Sequence, residues 1–350
     1  MVVVVVVGAV LLPARPAAPA DPFTARGAAL YFLRHYEEPD GRVVRWDQSG
    51  DSVSEGQAYA MLLSEATGAQ ARFEAAWRWT EQHLLLSSGL LAWHWKGGRV
   101  TGSEPAADAD VDAAYALELA GARFHQAADT RAARRLAAAI VRGETVRISV
   151  GRILTGGPWA DGPTIWVDPS YASPAELTAL GALGERTAFD SLAATLRLVV
   201  QAVLAHHALP PDWVTVSTAS RVVAGVPPGT PGGVVYGFDA VRLPVRWAAS
   251  CDRAVAARLW PVLEPRVRRG RPLVNLTLSG GTDDATSADP IGLVGAAGAA
   301  WAAGDERAGS TLLDEAQHAD ERHPTYYDSA WVALGRELLE TSNLGSCAGS

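Results

Sequence analysis

Helical periodicity runs through this chain from end to end, and it narrows the possible folds more than any other feature. Apolar residues recur at three- and four-residue spacing over twelve stretches: 24–37, 54–67, 69–84, 108–124, 130–143, 173–183, 188–206, 239–250, 252–263, 287–303, 306–319 and 326–340. Two other stretches, 146–154 and 213–223, alternate as strands do and predict a small β ribbon beside the helices. Each helix must bury its apolar stripe, and antiparallel helix pairs stacked side by side achieve this. A stack that closes on itself forms a ring whose inner helices meet at a common centre. A stack that stays linear is an α-solenoid, a binding scaffold. No repeat of fixed period is visible, so periodicity leaves both open. No linker rich in Pro, Ser or Gly divides the 350 residues. The reading is therefore one all-α domain over 21–342, between an N-terminal segment 1–20 and a tail 343–350.

Composition excludes some functions. The formal net charge is −8 and no basic run stands out, which argues against a nucleic-acid partner. The dense stretch Arg266 to Arg271 is short and reads as a solvated loop. Val2 to Leu12 is an apolar run of signal-peptide length, and Ala18-Pro19-Ala20 offers a small-x-small cleavage site before Asp21. Export to the periplasm or the medium is the expectation. The run is too short to span a bilayer, and no other stretch reads as a membrane span. Export permits a disulfide between Cys251 and Cys347, but Cys251 sits in an apolar helix and reads equally as a buried thiol. Twelve Trp are present. Their faces can stack on sugar rings, although a core position is the commoner fate of a tryptophan.

The carboxylates carry the chemistry. Glu55, Asp108 and Asp239 each stand where a predicted helix begins. Taken singly, each reads as a helix cap or a first-turn acid favoured by the dipole. Taken together in an α/α stack, they would bring three carboxylates to one end of a ring. Asp108-x-Asp110-x-Asp112 opens like a calcium loop, but Ala113 and Leu119 occupy the positions that require Gly and Glu. No zinc motif, phosphate loop or nucleophile elbow is present. The expected chemistry is carboxylate acid–base work without metal or cofactor.

The segment Ser54-Glu55-Gly56-Gln57-Ala58-Tyr59-Ala60-Met61 resembles the Ser-Glu-Gly-Gln-x-Tyr-x-Met segment of glycoside hydrolase family 8. Ala106 to Phe124 is similar to that family's Ala-Ser/Thr-Asp-Ala/Gly-Asp signature and the apolar helix that follows it. Asp168-Pro169-Ser170-Tyr171 resembles its Asn-Pro-Ser-Tyr segment, and Phe238-Asp239-Ala240-Val241-Arg242 its Tyr-Asp-Ala-x-Arg segment. Tyr326-Tyr327-Asp328-Ser329 resembles a segment near the family's C-terminal end. The resemblance spans roughly residues 40 to 335. It implies an (α/α)6 barrel and hydrolysis of a β-1,4-glucan with inversion. Glu55 would be the general acid and Asp239 the general base. Asp108 would hold the sugar at the cleavage point, and Tyr171 would help place the water. Ala107, Asp168 and Phe238 depart from the pattern, standing where the family has Ser or Thr, Asn, and Tyr.

Inversion needs two carboxyl groups roughly 6.5–9.5 Å apart on opposite sides of the scissile bond. A helix N-terminus stabilises a carboxylate, whereas an acid must start protonated. A like charge on Asp108 would raise the Glu55 pKa. Arg242 lies three residues after Asp239, where it can keep that group ionised or make an ordinary intrahelical pair. An extended stretch 90–95 would put Trp93 and Trp95 on one face, with at least one of them lining a sugar cleft. Asp110, Arg242 and Tyr326 complete the candidate substrate contacts. The expected partner is a β-1,4-glucan polysaccharide, met by a monomer. Chitosan, xylan and mixed-linkage glucan are rival substrates. A non-catalytic glycan-binding scaffold and a polysaccharide lyase are rival classes.

Overall fold

The computed structural model describes residues 21–281 and 289–344. Among them are thirteen α-helices: α1 (Ala25–Tyr36), α2 (Ser54–Ala66), α3 (Gln70–His83), α4 (Ala107–Arg123), α5 (Ala127–Gly143), α6 (Pro174–Leu180), α7 (Arg186–Leu204), α8 (Arg242–Ala249), α9 (Arg253–Ala257), α10 (Trp260–Val267), α11 (Pro290–Ala302), α12 (Glu306–Arg322) and α13 (Tyr326–Glu340). They close an (α/α)6 barrel. The inner ring is α2, α4, α6, α8, α11 and α13. α2 packs on α4 and α4 on α6, α8 packs on α11, α11 on α13 and α13 on α2, and Arg246 on α8 reaches Glu176 on α6. Outer helices alternate with them in sequence. Every inner helix therefore runs the same way, and their N-termini gather at one end.

Inner helices are buried nearly all round, and this dictates small residues. In α11, Gly292, Gly295 and Gly298 recur every third position. A Cβ on Gly298 would lie 2.6 Å from Val245 N, and one on Gly295 would lie 2.7 Å from Val241 O. Those glycines let α8 approach the ring centre. In α2 every residue is buried except Glu55. Burying Met61, Leu62 and Leu63 contributes roughly 1.5–3 kcal/mol each, so the helix that carries Glu55 is firmly held.

Two helix bounds are corrected. The stretch 252–263 is two short helices, α9 and α10, because Pro261 starts a new helix rather than continuing one. The stretch 239–250 begins later than expected: Asp239 lies in a turn, and α8 starts at Arg242. The stretch Pro174–Leu204 is long and apolar enough to cross a membrane by length and composition. In the barrel it is interrupted at Gly184, whose φ of 145° breaks the helix between α6 and α7.

Both predicted strand regions form, β4 (Thr145–Ile148) with β5 (Gly151–Leu154), and β7 (Val214–Val216) with β8 (Val222–Ala224). Two further pieces escaped the sequence reading. β6 (Ile165–Val167) pairs with β7, and β1 (Ser52–Val53), β2 (His94–Lys96) and β3 (Arg99–Gly102) form a sheet at the entrance to α2. β1 and β6 are isolated strands of two and three residues, too short to display alternation by themselves. Cys251 is in a disulfide; Cys347 and the segment 1–20 lie outside the described residues.

Candidate active site

The site is built at the N-terminal end of the inner ring. The motif around Glu55 is explained residue by residue. Ser54 N donates to Trp93 O at 3.0 Å, joining the start of α2 to the loop before β2. Gly56 leaves room for Tyr326, since a Cβ there would lie 2.7 Å from its hydroxyl. Gln57 is fully buried and receives Val43 N. Its own amide donates to Gly41 O, Ala76 O and Thr80 Oγ1. Glu55 alone in the helix is left partly exposed, with Tyr59 one turn on donating to its Oε1 at 2.7 Å.

Arg242 is the hub, fully buried at 0% exposure. Its Nη1 lies 3.1 Å from Glu55 Oε1 and 3.1 Å from Asp108 Oδ2. Its Nη2 lies 2.9 Å from Asp239 Oδ1 and 3.6 Å from Asp168 Oδ2. The three carboxylates singled out from the sequence thus converge on one guanidinium. All three touch its terminal nitrogens, Glu55 on one and Asp239 on the other, so Glu55 Oε1 and Asp239 Oδ1 stand no more than about 8 Å apart in a planar fork of this size. Tyr171 lies beside the hub, with the guanidinium carbon 5.2 Å from its ring centre.

The local electrostatics separate the groups. Burial, and after it the charge on Asp108, pushes the Glu55 carboxyl up to about 7, outweighing Arg242 and the Tyr59 hydrogen bond. Asp108 therefore acts as the sequence suggested, but burial is the larger cause. Asp239 is also raised by burial, and Arg242 opposes the rise. The turn that carries Asp239 is held from outside by Asp212, whose Oδ1 accepts from Gly237 N at 2.9 Å and Ala240 N at 2.8 Å.

Other predicted contacts fall elsewhere. Asp110 is 0% exposed and accepts from Leu91 N at 2.9 Å, so it anchors the 91–93 loop instead of touching sugar. Tyr326 is 2% exposed and packs under Gly56 against Phe32 and Tyr36. Both are supports, because the ring closes over them. Trp93 and Trp95 do not share a face: a bulge between His94 and Trp95 breaks the alternation. Trp95 packs against Trp79 and under Arg42. Trp93 is 40% exposed, stacked on His94 beside the start of α2.

Sequence reasoning missed Tyr59, Asp212 and the role of Asp168. Tyr59 carried a usable signal, its i+4 position after Glu55. Asp212 carried none, since its partners are 25 and 28 residues away. Among the described residues no group of His, Cys, Asp and Glu is placed to hold a metal ion. The arrangement sets one carboxyl that is protonated near neutrality beside another that is paired with Arg242, the two kinds of group that acid–base chemistry uses.

Comparison with known proteins places this geometry. A "Probable endoglucanase" of Novacetimonas hansenii is 28% identical over 237 residues, which cover 65% of this chain and 67% of that protein. The solved structure of the endo-beta-1,4-glucanase CMCax from Acetobacter xylinum superposes with a TM-score of 0.77 at 24% identity, covering 91% of this chain and 98% of that one. The apo structure of a Beta-1,3-1,4-glucanase from Paenibacillus sp.X4 gives 0.79 at 18% identity, covering 92% of each chain. The profile of glycosyl hydrolases family 8 matches residues 25–330, and the chain belongs to that family.

Proposed function

We propose that this chain is an inverting endo-acting hydrolase of β-1,4-glucan, with Glu55 as general acid and Asp239 as general base. The observation that carries the acid–base pair is the shared guanidinium: Glu55 and Asp239 sit on its two terminal nitrogens, at most about 8 Å apart, a limit that admits the roughly 6.5–9.5 Å of an inverting pair and the roughly 5–5.5 Å of a retaining one, so inversion rests on the family and is tested by the product anomer. Glu55, raised to about 7, can begin protonated and give its proton to the leaving oxygen. Asp239, beside Arg242, takes the proton of a water that attacks the far face of the sugar. Asp108 shares Arg242 Nη1 with Glu55 and is 5% exposed, positioned to hold the sugar hydroxyls between the two. Tyr171 stands near the water's side. Trp93 offers an exposed ring beside the α2 N-terminus for a sugar face to stack on.

The names of the curated relatives support β-1,4-glucan as substrate. The apolar run Val2 to Leu12 supports export, which N-terminal sequencing of the released protein would test by finding a start at Asp21. The test of the main reading is product analysis by proton NMR on carboxymethylcellulose, mixed-linkage β-glucan, xylan and chitosan. The expected result is fastest cleavage of a glucan with α-anomers formed first, and none by Glu55→Gln. First-formed β-anomers would overturn inversion. Fastest cleavage of xylan or chitosan would overturn the substrate. Release unaffected by Glu55→Gln would overturn the acid.

A further inference from the structure

Asp168 follows the strand β6 and opens the Asp168-Pro169-Ser170-Tyr171 turn. Its Oδ1 accepts both Ser170 N and Ser170 Oγ, each at 2.7 Å, and Ser170 Oγ in turn receives Arg242 Nε at 3.3 Å. That oxygen is locked and saturated. Oδ2 is buried without a conventional hydrogen-bond partner. It lies 3.6 Å from Arg242 Nη2, beyond a good hydrogen bond, while the same nitrogen is 2.9 Å from Asp239 Oδ1. Arg242 Nη2 therefore pairs more closely with Asp239 than with Asp168. Four carboxyl groups share this one guanidinium, and a buried carboxylate without its own counter-charge takes up a proton instead of staying ionised. Asp168 is the candidate: its side chain is 0% exposed, against 34% for Asp239 and 22% for Glu55.

We propose that Asp168 is a neutral carboxylic acid that donates through Oδ2 to the Asp239 carboxylate, and so positions the base. Two ionised carboxylates have only acceptors, so a hydrogen bond between them requires a proton on one. That bond favours the charged form of Asp239, and burial with the Asp239 charge raises Asp168 well above the usual carboxylate range. The charged and titratable groups around Asp168 are Asp239 and Arg242 from the α8 end, Asp212 from the loop before β7, and Tyr171 from its own turn. Glu55 and Asp108 lie across Arg242. The Asn of the resembled family segment would present an N–H donor from the same position, so the acid here replaces an amide without changing the polarity of the bond. Asp168 is a positioning residue, and the inference rests on Asp239 being the base.

The experiment compares Asp168→Asn and Asp168→Leu in the full chain, with kcat/KM against pH on a soluble cello-oligosaccharide and difference infrared spectra at neutral pH. Removing the donor with Leu should cost about tenfold to a hundredfold in kcat, as misplacing a reacting group does, and should move the acidic limb to higher pH. The Asn variant should recover most of that rate and leave the acidic limb in place. Wild type should display a protonated-carboxyl stretching band that Asp168→Asn lacks. An acidic limb that moves to lower pH in Asp168→Asn, or a band unchanged in that variant, would overturn the proposal, because either outcome means that Asp168 is ionised. Both readouts from Asp168→Asn stand even where the Leu variant does not fold. Full activity in Asp239→Asn would overturn the base assignment, and the infrared band would still decide the state of Asp168.

Discussion

The same two helices pair twice, and the two pairings behave differently. Asp108 and Asp112 are one turn apart on α4, and Arg242 and Arg246 are one turn apart on α8. In the deeper tier, Arg246 grips both oxygens of Asp112 at 2.8 and 2.7 Å and adds Glu176 at 2.7 Å. All three side chains are buried, and Glu176 is fixed further by the capping box with Ser173. In the upper tier one guanidinium is divided among Glu55, Asp108, Asp168 and Asp239 at 2.9 to 3.6 Å. Residue types and spacing are alike. What differs is the ratio of acids to bases and the access of water. The closed, bidentate tier fixes where the helices stand. The crowded, half-open tier keeps protons that can move.

The largest effect should come from the upper tier. Glu55→Gln and Asp239→Asn should each lower kcat by about 10² to 10⁴ with little change in the thermal midpoint, read by steady-state kinetics beside calorimetry. A large loss of stability in either would erase the contrast between the tiers. The deeper tier should respond in the opposite sense. Arg246→Met leaves two buried acids unpaired and should destabilise by roughly 3–5 kcal/mol in urea unfolding. Replacing Arg246, Asp112 and Glu176 together by Met, Leu and Leu should restore most of that loss, since a dry apolar cluster needs no counter-charge. If the triple variant is no better than the single one, the tier is more than an anchor.

A smaller change sharpens the electrostatics. The acid must be protonated, so activity should fall as pH rises through the Glu55 pKa of about 7. Asp108→Asn removes a neighbouring negative charge and should move that alkaline limb of kcat/KM to lower pH. An unmoved limb would leave burial and the charge on Asp239 as the causes. The smallest effect concerns groups remote from the hub. Glu37 and Glu65 are both pushed up to about 7, chiefly by burial, despite Arg72 and Arg123 beside them. Between the ordinary glutamate value and about 7 the folded chain binds more protons than the unfolded one, so stability is greatest at the acid side of that window and falls as pH rises through it. Thermal melts should give a higher midpoint at pH 5 than at pH 8, by a few degrees.

Much of the architecture was readable because helices report themselves locally. The borders of α13 match the periodic stretch, and those of α2 and α4 differ by a residue. Strands of two or three residues, such as β1 and β6, have no such signature. The site was legible wherever a residue acts through neighbours in sequence. Asp239 and Arg242 are three apart, and their ion pair could be anticipated. Asp110 and Tyr326 looked like equal candidates, yet the closing ring sealed them off. Trp93 and Trp95 were separated by a bulge that alternation cannot foresee.

By itself the sequence determined the helical content, the order of the main helices and the placing of Glu55 and Asp108 at helix beginnings, because these follow from spacing along one strand of chain. The tertiary structure alone decided that Glu55, Asp108, Asp168 and Asp239 share one buried guanidinium, and hence which of them holds a proton. Protonation depends on water access and on charges brought from 134 or 187 residues away. No local pattern carries either quantity, since both arise only when the ring closes.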